Sequence, residues 1–214
     1  MDRDRALALR ELLAATGWVD RTRTFARALR KSRVGRSSSG LLVVGTPTSE
    51  PWHLTAHLDD EARWFDIPEL TPTLVRWAPP ADAPAHLAVS LSRLEAVGHG
   101  ETVLVIAPDD PTESLLERVS DARRSGAVVL AVDSGDAELE DVAHEALVVP
   151  PDADTALVNA MPADVPPLSF DTVTHLVSVA SSEPLDAPGA RGLRGRLARF
   201  LEAVSGGDTV PPGG

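Results

Sequence analysis

The chain has 214 residues, of which 43% are hydrophobic and 24% charged, and its formal net charge is -12. This composition is typical of a globular protein long enough for one sizeable hydrophobic core. The absence of cysteine excludes disulfide bonds and thiolate chemistry. The longest apolar runs span about five to seven residues, far fewer than the ~20 that a transmembrane helix needs. The N-terminus is charged every few residues, unlike a secretory signal, so we expect a cytoplasmic protein without a membrane partner.

The charge is distributed unevenly along the chain. Residues 1–36 carry ten basic and four acidic side chains, and residues 191–214 carry four and two. Between them, residues 37–190 carry six basic and 26 acidic side chains, a balance that disfavours nucleic acid as a partner. We interpret the basic N-terminal segment as a solvated helix face that contacts the acidic body of its own or a neighbouring subunit. A DNA-binding arm is the alternative, but no aromatic or base-reading motif accompanies the arginines.

Helical periodicity and short apolar runs alternate along the chain. Two N-terminal helices are predicted over residues 3–16 and 21–32, the second capped by Asp20. Five apolar runs too short for helices predict buried strands, at residues 41–45, 73–77, 102–107, 127–132 and 146–150. Helical patterns follow or separate the strands, at residues 50–62, 84–97, from 111 through at least 122, and at 136–144, 169–180 and 191–204. The third of these helices opens at Pro111, with Asp110 as its predicted cap.

Strands that alternate with helices predict an α/β fold. Because crossovers are right-handed and pack on the sheet, we expect a three-layer αβα sandwich with a five-stranded parallel sheet. The strand order that we expect for this sheet is 2-1-3-4-5. Residues 37–190 form this domain, flanked by N-terminal basic helices (1–36), a C-terminal helix (191–204) and a disordered tail (205–214). The strand order reverses between strands 1 and 3, so a ligand crevice is expected there. The loops that follow these two strands, at residues 45–49 and 107–112, are therefore the candidate ligand-binding loops.

These loops carry a recognisable pattern of residues. The segment VGTPTSEPWHL places Gly45, Thr48, Ser49 and Leu54 as in a G-x-x-T-S loop that leads into a helix. VLVIAPDDPTESLLERV keeps a strand, a terminal Thr112 and a helix, and ARRSGAVVLAVDSGDAELEDVAHEALVVP continues the pattern. Over residues 40–180 the chain resembles the SIS (sugar isomerase) domain family, as a degenerate member. The resemblance implies a phosphosugar-binding α/β domain that pairs into a homodimer.

The second loop departs from that family. Where the family has S-x-S-G-x-T, with hydroxyls that hold the phosphate, this chain has Ala107, Asp109 and Asp110. A carboxylate ~4 Å from a phosphate costs about 4 kcal/mol at an effective dielectric constant of 20. That exceeds the roughly 0.3–2 kcal/mol that a helix N-terminus gives an anion. Three interpretations remain: Asp110 caps the helix and its carboxylate occupies the anion site, the pocket is a degenerate phosphosugar site, or a metal ion bridges the two carboxylates.

The first loop retains its hydroxyl groups. Thr46, Thr48 and Ser49 lie beside the start of the helix at Glu50, where they either cap that helix or contact a ligand. The candidate ligand-binding residues are those of both loops: Gly45, Thr46, Thr48, Ser49, Asp109, Asp110 and Thr112.

Three residues are candidate catalytic bases, since an aldose–ketose isomerase needs a base near the sugar C1 and C2. They are Glu50, His53 and His175, and no motif fixes any of them; the single Lys31 leaves no obvious Schiff-base lysine. His53 with His57 and Glu61 also has the spacing of a chelating helical face, although an exposed flank is the interpretation we favour. No metal or other cofactor is expected.

Four aromatic residues surround the first helix of the domain and the second strand: Trp52, Trp64, Phe65 and Trp77. We predict that they pack in the core, with an interface patch as the alternative. For the protein as a whole we predict a phosphosugar-binding protein that is non-catalytic or regulatory. A ligand-free assembly protein on the same fold is the alternative, and an active sugar phosphate isomerase is a lesser one.

Overall fold

A computed structural model describes residues 17–36, 40–150 and 169–183 of the chain. The helices predicted at 3–16 and 191–204, the tail at 205–214 and most of the 150–168 loop lie outside these residues. The helices are α1 (Trp18–Arg33), α2 (Trp52–Trp64), α3 (Glu113–Arg124), α4 (Ala137–Val142) and α5 (Phe170–Ser181). The strands are β1 (Leu41–Gly45), β2 (Pro72–Val75), β3 (Thr102–Ala107), β4 (Val128–Asp133) and β5 (Glu145–Val148). Short 3-10 helices cover Pro68–Leu70, Ala85–Leu87 and Leu91–Ala96.

The five strands form one parallel sheet in the order β2-β1-β3-β4-β5, which confirms the predicted topology. β1 pairs with β3 in a register that sets Leu41 beside Thr102 and Gly45 beside Ile106. Their carboxyl ends are therefore level, and the loops that follow them leave the sheet side by side. This is the point where the strand order reverses and where open α/β sheets bind ligands.

Each face of the sheet is covered by its own layer of helices. The alternate residues Leu41 and Val43 of β1 pack with α1, α2 and α5, whereas Leu42 and Val44 pack with α3, α4 and the 3-10 helix before β3. All five residues of β1 and all six of β3 are buried. A continuous apolar run is what a strand covered on both faces requires, and this is why the strands were predictable.

Two local predictions are wrong. The helix expected at 84–97 is two 3-10 segments, because the Arg76 amide N–H donates to the Val89 carbonyl at 2.8 Å and Ser90 lies in extended conformation beside Arg76. Pairing with the edge of the sheet thus interrupts the helical pattern. Helix α1 begins at Trp18 after Gly17, which has a positive φ of 72°, so Asp20 lies in the first turn and is not the cap.

The arginines of α1 contact the body of their own chain. Arg23 pairs with Glu183 at 3.3 Å and Arg30 with Glu69 at 2.7 Å. Arg33 is fully buried, and its guanidinium donates to the carbonyls of Gly40, Gly100 and Glu69, each at 3.0 Å. Arg33 therefore attaches the C-terminal end of α1 to the amino-terminal ends of β1 and β3, opposite the predicted crevice, whereas Arg21 donates to the Val148 carbonyl at the carboxyl end of β5.

Three of the four aromatic residues predicted to be in the core are exposed: Trp52 by 38%, Phe65 by 43% and Trp64 by 75%. Trp77 is partly buried against the core. The reason is that α2 turns its leucines, Leu54 and Leu58, to the sheet. Among the described residues no helix is both long and apolar enough to cross a membrane.

Candidate functional site

The loop after β1 is shaped by a glycine that has no room for a side chain. A Cβ on Gly45 would lie 2.0 Å from the Ser49 carbonyl oxygen and 2.7 Å from the Pro51 ring. The Ser49 amide N–H donates to the Thr46 carbonyl at 3.2 Å, which closes a tight turn. The loop therefore folds back over the end of β1 and brings Thr46 and Thr48 to the side that faces β3.

The carboxylate of Asp109, in the loop after β3, accepts hydrogen bonds from two hydroxyl groups of the loop after β1. Thr46 Oγ1–H donates to Asp109 Oδ1 at 2.5 Å, and Thr48 Oγ1–H donates to Asp109 Oδ2. Thr46 is completely buried and Thr48 is exposed. We call these three residues the Thr46–Thr48–Asp109 clasp. The clasp replaces the predicted helix cap, since α2 begins after Pro51 with no side-chain capping bond.

Asp110 does not take part in the clasp, and it does not cap α3. The cap position belongs to Thr112, whose backbone is extended and whose side chain makes no capping bond. Asp110 is exposed, and Thr112 faces Ser114, with their hydroxyls 3.3 Å apart. The prediction that Asp110 caps the helix and fills the anion site is therefore wrong: its neighbour Asp109 reaches the hydroxyls. The structure brings Gly45, Thr46, Thr48 and Asp109 together and leaves Asp110 and Thr112 apart from them.

Glu50 is fixed by two donors from the end of β2. Its Oε2 accepts from Arg76 Nε at 3.0 Å, and its Oε1 accepts from the Trp77 amide N–H at 3.2 Å. Trp77 Nε1–H donates to the Gly45 carbonyl at 2.8 Å, and the Arg76 guanidinium lies 4.5 Å from the Trp52 ring centroid. A bidentate acceptor between two fixed donors has a positioning role. Glu50 thus ties the β1 loop to the end of β2.

A groove of about 310 Å³ opens beside the clasp, between the start of α2 and the start of α5. Its lining combines aromatic and apolar groups with hydroxyls, carboxylates and one imidazole: Ser49, Glu50, Pro51, Trp52, His53, Leu54, Ile106, Pro108, Ser169, Phe170, Asp171 and Thr174. Ser169 caps α5 by accepting from the Thr172 amide N–H at 3.2 Å, which fixes the wall that α5 contributes. Concave sites of this kind, apolar with a few polar groups, are typical of small-ligand sites.

A smaller cavity of about 170 Å³ continues from the groove and contains three histidines. It is lined by His53, Leu54, His57, Asp171, Thr172, Thr174 and His175. The rings of His57 and His175 meet edge to face with centroids 4.3 Å apart. Burial, and to a lesser extent the neighbouring His57, lowers the pKa of His175 to about 4, and burial also lowers the pKa of His57. Both imidazoles are therefore neutral at pH 7.

The helical stripe with chelating spacing does not converge on one point. Glu61 lies against the end of α5, where Ser182 Oγ–H donates to its Oε2, while His57 faces His175. Within the described ranges, no three His, Asp or Glu side chains form a group that could hold a metal ion.

The second wall of the groove was missed by sequence reasoning. Of α5, only His175 was nominated, whereas the groove uses Phe170, Asp171 and Thr174 from the first turns of that helix. The packing of α5 on α2 creates this wall, and the two helices are more than a hundred residues apart in the chain. The Ser169 cap was the available signal, because it marks where the first turn begins and which residues follow it.

Comparison with solved structures gives two similar folds. One is a "putative sugar binding protein" from Salmonella typhimurium LT2, with a TM-score of 0.55 and 16% identity, covering 94% of this chain and 54% of that one. The other is a "putative phosphosugar isomerase" from Silicibacter pomeroyi DSS-3, with a TM-score of 0.53 and 16% identity, covering 95% of this chain and 56% of that one. This chain shares their fold. It spans little more than half the length of either protein. No protein-family model matches the sequence, and no curated protein sequence does.

Proposed function

We propose that this protein binds a small carbohydrate derivative in the groove between α2 and α5 and does not catalyse a reaction on it. The observation that carries the proposal is the groove itself, which lies at the carboxyl end of the sheet where the strand order reverses. Its volume of about 310 Å³ is at the small end of ligand sites, which suits a ligand the size of one sugar ring. The sugar-related names of the two structural neighbours agree with this ligand class.

The groove lining has the two kinds of group that a sugar needs. Trp52 and Phe170 offer apolar ring surface for the C–H faces of a pyranose, and Trp and Phe bury large areas on contact. Ser49, Asp171 and Thr174 offer hydroxyl and carboxylate oxygens for sugar hydroxyls. A site with polar groups at fixed positions rejects ligands that leave those groups unpaired. We infer that the polar groups set specificity and the aromatic groups supply contact area.

The candidate bases support a binding role over catalysis. Both carboxylate oxygens of Glu50 accept hydrogen bonds that hold the loop in place, and His175 lines the smaller cavity. Of the three candidate bases, His53 lines the groove and is not held by a hydrogen bond within the described residues. An aldose–ketose isomerisation needs both a base and a group that opens the ring. We assign the Asp171 carboxylate, the other ionisable group of the groove that has no side-chain bond to the described part of the chain, to ligand binding, which leaves His53 without a partner for that chemistry.

The test uses two tryptophans of the same helix as a matched pair. Thermal-shift and calorimetric titrations of the full chain with glucose, glucosamine and their 6-phosphates should show saturable binding of at least one sugar. Trp52→Ala should weaken that binding at least tenfold, whereas Trp64→Ala, at the opposite end of α2, should leave it unchanged. Incubation of the bound sugar should give no ketose. No binding by any sugar at millimolar concentration, or ketose formation, would contradict the proposal.

An assembly role is the second candidate, and one surface favours it. Trp64 and Phe65 are adjacent and exposed by 75% and 43%, and we call them the Trp64–Phe65 patch. Exposed aromatic residues that adjoin each other mark interaction surfaces. We propose that this patch contributes to a homodimer. Light scattering of Trp64→Ala should then show a lower mass than the unchanged chain, and an equal mass would exclude the patch from the dimer.

A further inference from the structure

We infer that the site is selective against phosphate: the Asp109 carboxylate serves as a built-in anion in the hydroxyl clasp, and the groove takes an unphosphorylated sugar that carries an amine. This rests on the proposed function and specifies its ligand. It departs from the expectation of a phosphosugar that the sequence raised. Two independent observations support this inference. The clasp hydroxyls already donate to Asp109, and the groove lining carries carboxylates.

The clasp lies where an anion would be expected to bind. Hydroxyls at the end of β1 lie at the reversal of strand order, where open α/β sheets bind ligands, and they can donate to ligand oxygens. In this chain the two hydroxyls donate to the two carboxylate oxygens of Asp109, so they already bind an anionic group of the protein itself. Thr46 is completely buried, so its only hydroxyl proton is used inside the protein. A phosphate could bind these two hydroxyls only by displacing Asp109 or by lying against it.

In the described part of the chain, the groove lining adds no lysine or arginine to offset that carboxylate, and the first turns of α2 and α5 contribute only the partial positive charges of helix N-termini. Its residues include the carboxylates of Glu50 and Asp171 and, in the part of the chain that the structure describes, neither lysine nor arginine. The same holds for the smaller cavity that continues from it. Arg76 lies near but is paired with Glu50 at 3.0 Å and stacked on Trp52. A phosphate group, with a charge of about -1.5 to -2 at pH 7, is therefore repelled by the site.

One carboxylate of the groove is placed for a cationic ligand. Asp171 is exposed, stands in the first turn of α5, and lines both the groove and the smaller cavity. An ammonium group on a sugar would pair with it at the edge of the aromatic surface of Trp52 and Phe170, and a charge-assisted hydrogen bond is stronger than a neutral one. The geometry thus favours an amino sugar over a neutral sugar and over a sugar phosphate.

Calorimetric titration of the full chain with glucosamine, glucose and glucosamine 6-phosphate tests the inference. We expect glucosamine to bind at least tenfold more tightly than glucosamine 6-phosphate. Asp109→Ser should raise the affinity for the phosphate ester at least tenfold. Asp110→Ser, the adjacent exposed carboxylate outside the clasp, is the matched control and should change nothing. Asp171→Asn should weaken glucosamine about tenfold and leave glucose unchanged.

Each outcome decides one of the two claims. Binding of glucosamine 6-phosphate to the unchanged chain as tightly as glucosamine would overturn the inference and leave the proposed function standing. An unchanged preference in Asp109→Ser would also overturn the inference. If Asp109→Ser does not fold, Asp109→Asn removes the charge while keeping the size and one acceptor oxygen, and the same tenfold gain is required of it. Failure of all three sugars to bind would overturn the proposed function as well.

Discussion

The coupling between Thr46 and Asp109 can be measured in isolation by a double-mutant cycle. Thr46→Val keeps the side-chain volume and removes the hydroxyl, and Asp109→Ala removes the acceptor. A hydrogen bond to a charged group contributes about 1.5–3 kcal/mol, and an orphaned buried hydroxyl costs about 1–3 kcal/mol. Because Thr46 is completely buried, Asp109→Ala leaves it unpaired, and Thr48, at 3.4 Å, is too far for a good replacement acceptor.

The cycle therefore has a definite expected result. Asp109→Ala should lower the free energy of unfolding by about 2–4 kcal/mol, and adding Thr46→Val should cost little more, with a coupling energy of about 1.5–3 kcal/mol. Urea denaturation followed by far-ultraviolet circular dichroism gives all four values. Asp110→Ala, exposed and outside the clasp, should change stability by no more than about 0.5 kcal/mol. A coupling energy below about 0.5 kcal/mol would refute the clasp.

Three further predictions concern the parts of the fold that support the site. Arg33→Met should lower the free energy of unfolding by about 3–5 kcal/mol, because three carbonyls, that of Gly40 buried and the other two partly buried, lose their donor; Arg33→Lys should not restore it in urea denaturation, since an ammonium lacks the planar fork. Gly45→Ala should cost about 3 kcal/mol by the same measurement, because its Cβ meets the Ser49 carbonyl; a loss below about 0.5 kcal/mol would contradict this turn. The folded-state pKa of His175 lies at about 4, below its ordinary 6.5, so its contribution to stability is complete above pH 6.5 and is lost as the pH falls toward 4. The unchanged chain should thus lose about 2 kcal/mol more than His175→Gln between pH 7 and pH 5, and equal losses would count against the buried neutral imidazole.

The strands of the sheet could be predicted because each one is a short run of apolar residues that is visible in the sequence without knowledge of its partners. A run such as Leu41–Gly45 is buried at every position, so it shows no helical periodicity and needs no partner to be recognised. The alternation of helices and strands predicted a parallel sheet covered on both faces, and the order 2-1-3-4-5 is a common arrangement of such sheets. The 84–97 segment failed because its leucine spacing is helical, while the bond from Arg76 to Val89 that breaks the helix joins residues thirteen apart in the sequence.

The location of the site was predictable, but its chemistry was not. The reversal of strand order nominated both loops, and the structure brings their Thr46, Thr48 and Asp109 together. The sequence alone does not tell which of Asp109 and Asp110 reaches the threonine hydroxyls. The two side chains are chemically identical, and only the backbone conformation of the loop decides where each one points. The wall formed by α5 depends on helix packing between distant segments, which no spacing within either segment encodes.

Sugar binding in the groove at the start of α2 can be followed at the indole N–H resonances of the chain's four tryptophans. Trp52 lines the groove, and Trp64 lies about 18 Å away along the same helix, at 1.5 Å per residue. Two-dimensional ¹H–¹⁵N spectra are recorded during separate titrations with glucosamine, glucose and glucosamine 6-phosphate. We expect at least one sugar to give a saturable shift of the Trp52 resonance while that of Trp64 stays in place. A Trp52 resonance that none of the three sugars moves at millimolar concentration, or a shift confined to Trp64, would contradict binding in the groove.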